Sequence, residues 1–166
     1  MFRKIPPRVA LVCAIALVTA ATATAGIGAA VSDGGSKPTE KEIAALFDGW
    51  NNSLQTGDPE KVAARYAKDA VLLPTASPEI RTDRAGIVDY FEYFLKTKPK
   101  GEKIRSVITI LDKDSAIDAG LYEFHLTDSR TGEKRTVEAR YTYEYEKRNG
   151  KWLIVNHHSS VLPPAS

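Results

Sequence analysis

The chain is almost without cysteine: Cys13 is the only one among 166 residues. Cys13 lies in an N-terminal segment that we expect to be removed. The remaining domain therefore has no disulfide, thiolate metal site or cysteine nucleophile. Long apolar runs are also missing, since the longest one, at residues 9–18, is shorter than the ~20 residues that span a bilayer.

The N-terminus has the three parts of a secretory signal in their usual order. Three basic residues come first, the apolar run at 9–18 follows, and the small-x-small sequence Ala-Thr-Ala stands at 23–25. We predict a signal peptide over residues 1–25, with export to the periplasm or the medium; an uncleaved anchor is the alternative. A flexible leader rich in Gly, Ala and Ser then covers 26–38, and the domain covers 39–163.

Charge of one sign is not in excess once that segment is removed. The whole chain carries +2, but the signal holds three cations and no acid, which leaves 20 basic residues against 21 acidic ones. The mature protein is therefore close to neutral. We expect no nucleic-acid partner and, after cleavage, no membrane partner.

The periodicity of the domain changes from helical to strand-like along the chain. Thr39 and Glu42 form a capping-box pattern before an apolar stripe with a period of 3.6 residues. A second helix follows Pro59 and includes Tyr66, a short strand covers 70–73, and a third helix runs from about residue 83 to 96. Strands are predicted at 104–111, 116–126, 136–148 and 151–162, the last two joined by an Asn-Gly turn. This order predicts an α+β cone: three N-terminal helices packed on a curved, mainly antiparallel sheet.

The alternation of the strands predicts a polar pocket on the inner face of the sheet. Period two places several phenol, imidazole and hydroxyl side chains toward the helices, with a carboxylate near a rim and one tyrosine from the third helix. We expect a small molecule to bind there, with Arg81 before the third helix as an anion ligand. The predicted ligand-binding residues are Tyr90, Tyr122, Tyr143, Ser159 and Arg81.

The same side chains also suit cofactor-free proton transfer, with His157 or Asp118 as base and the tyrosines as donors. Each residue alone also has a structural explanation, as a core ring or a hydrogen-bonded strand residue. No cofactor is expected. Adjacent strand residues point to opposite faces, so His157 and His158 do not suit one metal ion, and no metal site is expected.

The outer face of the sheet combines apolar and charged residues. Strict alternation places Trp152 and Ile154 there beside Arg140 and His158. A partner subunit covers such a patch better than water does. We therefore predict a homodimer or higher homo-oligomer through the sheet face, with those four residues in the interface.

The C-terminal hairpin, residues 148–163 (RNGKWLIVNHHSSVLP), resembles the association domain of calcium/calmodulin-dependent protein kinase II, and in particular its exported bacterial members. Residues 80–95 (IRTDRAGIVDYFEYFL) and 118–124 (DAGLYEF) extend the likeness. The resemblance implies the nuclear transport factor 2-like fold, oligomerisation through the sheet and a pocket at the mouth of the cone.

The resemblance does not extend to the chemistry of the pocket. Where the kinase module places basic residues, this chain has tyrosines and Ser159, so carboxylate binding in the kinase manner requires Arg81 or Arg140 to reach in. The isomerase pattern of the superfamily is not matched residue by residue, so no catalytic role is carried over.

Three functions stay open from the sequence. The first is an exported module that oligomerises and binds a small molecule in a Tyr- and His-lined pocket. The second is an acid-base isomerase, cyclase or dehydratase acting on a small carbonyl or polyketide-like substrate. The third is an assembly unit whose own side chains fill its cavity.

Overall fold

The computed structural model describes residues 35–164. The predicted signal peptide and most of the predicted leader lie outside the described residues. Among those described, no helix is both long enough and apolar enough to cross a membrane. The elements in chain order are α1 (Glu40–Leu54), α2 (Pro59–Ala63), β1 (Tyr66–Leu73), α3 (Arg84–Phe94), a 3₁₀ turn (Leu95–Thr97), β2 (Lys100–Ile110), β3 (Ser115–Thr127), β4 (Lys134–Arg148) and β5 (Lys151–Val161).

Local sequence signals account for the helix starts. The Thr39 hydroxyl accepts from the Glu42 amide while the Glu42 carboxylate accepts from the Thr39 amide, which completes the capping box of α1. The Asp58 carboxylate caps α2 in front of Pro59, and the Asp83 carboxylate caps α3. Each cap satisfies amides that the first turn leaves without a helical partner.

One five-stranded sheet, in the order β1-β5-β4-β3-β2, carries the helices on one face. All neighbours are antiparallel except β1 and β5, which run parallel. Helix α1 lies against β2 and β3, and α3 lies against β1 and α2. The predicted α+β class with a mainly antiparallel sheet is confirmed, and the sheet is open rather than closed into a barrel.

The Asn149-Gly150 turn has the geometry that its sequence predicts. Both residues have positive φ angles, 52° and 76°, as a two-residue hairpin with right-handed strand twist requires. The turn joins β4 to β5 and fixes their register, with Arg148 opposite Lys151.

A bulge in β5 corrects the predicted outer face. Tyr145 pairs with Ile154, but Glu144 pairs with Asn156, so Val155 is an extra residue and the parity of the strand reverses there. Ile154 is only 2% exposed and belongs to the core. Trp152, opposite Lys147, shares this inner parity and is half-buried against the core. The prediction that both lie on the outer face is therefore wrong.

A second irregularity, in β2, shows why residue 120 is glycine. Lys103 pairs with Tyr122 and Arg105 with Leu121, so Ile104 is an extra residue. A Cβ atom on Gly120 would lie 1.9 Å from the Arg105 carbonyl oxygen. Only glycine allows this approach of the two strands.

Candidate functional site

The inner face of the sheet and α3 enclose a cavity of about 190 Å³. Strands β3, β4 and β5 form its floor, α3 forms one wall, and the loop after β1 closes over it. Most lining side chains are apolar or aromatic, and the hydrophilic ones are few. The lining residues with hydroxyl, imidazole or guanidinium side chains are Thr75, Tyr90, Tyr122, Arg135, His157 and Ser159.

His157 lies at the base of the cavity, between aromatic rings. Its ring stacks on Tyr143 at 4.1 Å between centroids and meets the edge of Trp50 at 5.5 Å. Only 4% of the residue is exposed. Burial, and to a smaller extent the charge of the neighbouring His158, lower the pKa of His157 to about 3. The imidazole is therefore neutral at physiological pH.

The hydrogen bonds of Tyr66 define the tautomer of His157. Trp50 Nε1 donates to the Tyr66 hydroxyl at 3.0 Å, because an indole nitrogen can only donate. The Tyr66 hydroxyl lies 2.8 Å from His157 Nδ1, and the assignment that leaves no donor of this group unpaired has Tyr66 donate to Nδ1. We therefore assign the ring proton of His157 to Nε2, which faces the Tyr122 hydroxyl at 3.5 Å.

The remaining polar groups of the cavity continue from Tyr122. Its hydroxyl donates to Ser159 Oγ at 2.5 Å, and Ser159 hydrogen-bonds Thr75 in the covering loop. Burial raises the pKa of the Tyr122 phenol well above its usual value, so it remains protonated and can donate. Burial likewise raises the pKa of Tyr90, on the α3 wall.

The structure brings together four of the sequence-predicted pocket residues: Tyr90, Tyr122, His157 and Ser159 all line the cavity. Tyr143 does not line it, although its ring supports His157 from behind. Its hydroxyl is buried with no hydrogen-bond partner among the described residues. Tyr143 therefore shapes the site without offering a polar contact to it.

Asp118, predicted as a possible base, is not among the residues that line the cavity. It is fully buried beneath α1, where Tyr141 donates to it at 3.0 Å and Ser106 also donates to it. Lys103 Nζ lies 3.9 Å from its other oxygen. Its donors lie on the two strands that flank β3, and its other oxygen has no hydrogen-bond partner among the described residues. Because Asp118 does not line the cavity, we assign it no catalytic role.

Arg81 is likewise not a lining residue. Its backbone pairs with Leu72 in an isolated bridge, and its guanidinium binds Glu79 and Asp89, the latter at 3.3 Å. Carboxylates of its own chain therefore occupy the group that was predicted to hold an anion. Arg140 pairs with Ser160 on the outer face, and His158 is exposed on that same face.

Sequence reasoning missed Arg135, Thr75 and the α1 residue Trp50. Arg135 pairs with Leu126 and shares the inner parity of Val137 and Ala139, so extending the predicted strand 136–148 by one residue would have found it. Thr75 follows the predicted short strand at 70–73, where no site residue was predicted. Tyr66 was assigned to the second helix, whereas it begins β1 and holds His157 in place.

One group of potential metal ligands exists within residues 35–164. Glu102, Glu123 and His125 place their ligand atoms within 4.8 Å of one another on the outer face. His125 Nε2 lies 3.2 Å from Glu123 and 3.6 Å from Glu102, so contacts of the imidazole with the two carboxylates account for the grouping. This group is on the opposite side of the sheet from the cavity.

Comparison with known proteins supplies the family. Residues 39–163 match the model of the calcium/calmodulin-dependent protein kinase II association domain. A solved Xanthomonas campestris structure described as such a domain is 56% identical, with a TM-score of 0.75; the match covers 78% of this chain and 91% of that one.

More distant structures share the fold. A nuclear transport factor 2-like protein from Salmonella enterica is 16% identical, with a TM-score of 0.66 and coverage of 76% and 92%. A ketosteroid isomerase-like protein from Erwinia carotovora is 18% identical, with a TM-score of 0.62 and coverage of 76% and 100%. No curated protein matches the chain. From the match over residues 39–163, the chain belongs to the calcium/calmodulin-dependent protein kinase II association domain family.

Proposed function

We propose that this protein is an exported module that binds a small molecule in its inner cavity and assembles into a homo-oligomer through the outer face of its sheet. The observation that carries the binding proposal is the cavity itself. Aromatic walls enclose about 190 Å³ above a hydrogen-bonded base of Tyr122, His157 and Ser159. An apolar hollow with few, fixed polar groups is the usual form of a small-molecule site.

The protonation state of the site favours binding over acid-base catalysis. A general base must accept a proton near the working pH. His157 has a pKa of about 3, its Nδ1 already accepts from Tyr66, and its Nε2 already carries a proton. The cavity lining contains no aspartate or glutamate. The groups of the site therefore donate hydrogen bonds but take up no proton.

One observation keeps the enzymatic alternative worth testing. His157 Nε2 and the hydroxyl pair of Ser159 and Thr75 offer neutral donors at one end of an apolar cavity, an arrangement that stabilises a developing oxyanion. An isomerase-type enzyme would accelerate deuterium exchange at the α-carbon of cyclohexanone in D₂O, followed by NMR. Exchange no faster with the wild type than with His157→Gln is the result expected of a binding module.

The outer face supports assembly. Val107 is 53% exposed there, Leu153 and Val155 are half-buried, and charges of both signs, Arg140 and Glu144, lie among them. An apolar strip with interspersed charges fits a second copy of the same face related by two-fold symmetry. Sedimentation should show an oligomer that Leu153→Glu dissociates, while Glu60→Lys, on α2, leaves it intact. A monomeric wild type at micromolar concentration would contradict this part of the proposal.

Export rests on residues 1–25 alone. Expression of the whole chain in a bacterial host, followed by mass spectrometry of the exported protein, should find an N-terminus close to Gly26. Retention of the full-length chain in the cell membrane would favour the uncleaved anchor.

A thermal-shift screen of the purified domain tests ligand binding. A ligand that binds only the folded state raises Tm in proportion to the logarithm of its excess over Kd. Val137→Phe adds a ring inside the cavity, and Ile80→Phe adds a ring at an exposed position before α3. Hits should lose their shift with Val137→Phe and keep it with Ile80→Phe. Shifts equal in both variants would place binding elsewhere.

A further inference from the structure

The hydrogen bonds around the cavity all run in one direction. Trp50 can only donate to Tyr66, and among residues 35–164 the Tyr66 proton finds an acceptor only in His157 Nδ1. His157 then carries its proton on Nε2, toward Tyr122. Tyr66, His157 and Tyr122 each accept a hydrogen bond from the preceding group and donate one to the next.

The chain of donors ends at the hydroxyl pair of Ser159 and Thr75. Tyr122 donates to Ser159, and either hydroxyl of the pair can donate the hydrogen bond between them. Within residues 35–164 neither hydroxyl has a further acceptor. One of the two hydroxyl protons therefore has no acceptor among the described residues. Thr75 lines the cavity, so a bound molecule can supply the missing acceptor.

His157 presents a second donor that is poorly satisfied. Its Nε2 lies 3.5 Å from the Tyr122 oxygen, which is at the outer limit for a hydrogen bond. A ligand oxygen nearer to Nε2 would form a better bond. This end of the cavity therefore has hydrogen-bond donors that lack acceptors.

The volume of the cavity accommodates one ring. An engineered cavity of 150 Å³ in another protein holds one benzene molecule, and this one measures about 190 Å³. The difference leaves room for a substituent of two or three heavy atoms. Phe91, Phe94 and Phe124 line the walls, and such rings pack edge-to-face or offset against another ring.

The charge of the site favours a neutral molecule. His157 is uncharged, and the cation of the lining, Arg135, is exposed on β4. A carboxylate buried against neutral donors would lose its hydration without a counter-ion. Building on the proposed binding function, we propose that the ligand is a neutral, single-ring aromatic compound with a carbonyl oxygen that accepts from Thr75 and His157.

Three probes of similar size test this assignment in calorimetric titrations of the purified domain. Acetophenone offers a neutral carbonyl, ethylbenzene offers none, and benzoate offers an anion. One net hydrogen bond predicts acetophenone binding about two- to tenfold tighter than ethylbenzene, with benzoate weakest. Thr75→Val, which keeps the side-chain shape, should remove the advantage of acetophenone and leave ethylbenzene unchanged. Thr109→Val, on exposed β2, is the matched control and should change neither.

Each other result overturns the assignment in a recognisable way. Equal binding of ethylbenzene would show a purely apolar site, and tightest binding of benzoate would show that Arg135 selects an anion. In both cases the proposed binding function stands. Failure of all three probes would reject the single-ring class, and the wider thermal-shift screen then decides separately whether the cavity binds anything.

Discussion

The two ends of the inner sheet face use the same residue types for different purposes. At the closed end, beneath α1, Tyr143 and Tyr145 pack against each other, and both hydroxyls are buried without a partner among the described residues. At the open end, beside α3, Tyr66 and Tyr122 have hydroxyls that each belong to a continuous chain of hydrogen bonds.

Position in the fold, and not residue type, therefore decides whether a tyrosine of this sheet packs in the core or joins the hydrogen bonds beside the cavity. The closed end is filled by α1 rings such as Phe47, and its carboxylate, Asp118, serves neighbouring donors. The open end is left hollow, and its polar groups are aligned toward the hollow. Hydrogen-bonded polar groups aligned toward a hollow support the proposal that the open end binds a ligand.

The largest effect is expected from breaking the open-end chain at its start. Tyr66→Phe leaves Trp50 Nε1 and His157 Nδ1 buried without partners. Two such groups should reduce the free energy of unfolding by about 3 kcal/mol. Urea denaturation measures this, with Tyr93→Phe, at an exposed position, as a control that changes little. A Tyr66→Phe protein as stable as the wild type would show that the chain of hydrogen bonds is not formed.

Acid should weaken the open end in a defined pH window. The folded protein keeps His157 neutral down to about pH 3, whereas the unfolded chain protonates it near pH 6.5. Unfolding thus takes up a proton, and the stability from neutral His157, complete above pH 6.5, declines as pH falls toward 3. Between pH 7 and 5 the loss is about 2 kcal/mol.

The neighbouring histidine provides the control for that window. His157→Gln should lose the slope of unfolding free energy between pH 7 and 5, while His158→Gln, on the exposed outer side, should retain it. Urea titrations at half-unit pH steps distinguish the two. If His158→Gln abolished the slope and His157→Gln retained it, His157 would already be protonated in the folded protein.

The smallest effect is expected at the closed end and has the opposite sign. Tyr143→Phe removes a buried hydroxyl that has no partner, so it should stabilise the protein by about 1 kcal/mol. The same removal at Tyr66 destabilises. Chemical denaturation of the two variants side by side tests the contrast between the ends, and destabilisation of both would erase it.

Much of this arrangement could be predicted from the sequence, because local patterns determine it. The capping box of α1, the Asn-Gly hairpin and the inward set Tyr122, His157 and Ser159 follow from side-chain spacing. Period two holds within each strand, so residues on the same side of a bulge were assigned to the correct face.

Other features depend on tertiary structure and left no local signal. The extra residue at Val155 reverses the parity of β5, and no sequence pattern marks a bulge between apolar residues. Tyr66 follows directly after α2, and its inward position suited a helix as well as a strand. Asp118 had the right parity for the cavity, but the position of α1 decides which end of the strand remains hollow.

Nitrogen-15 correlation spectra of the histidine rings measure whether His157 is neutral with its proton on Nε2, because these spectra report tautomer and charge. We expect His157 to be neutral, with its proton on Nε2, from pH 7 down to pH 4.5. Its Nδ1 resonance should be shifted to a position typical of a hydrogen-bond acceptor. An imidazolium signal from His157 that appears near pH 6.5, or a His157 proton on Nδ1, would contradict the assigned direction of the hydrogen bonds. It would also remove the argument that the ligand is a hydrogen-bond acceptor.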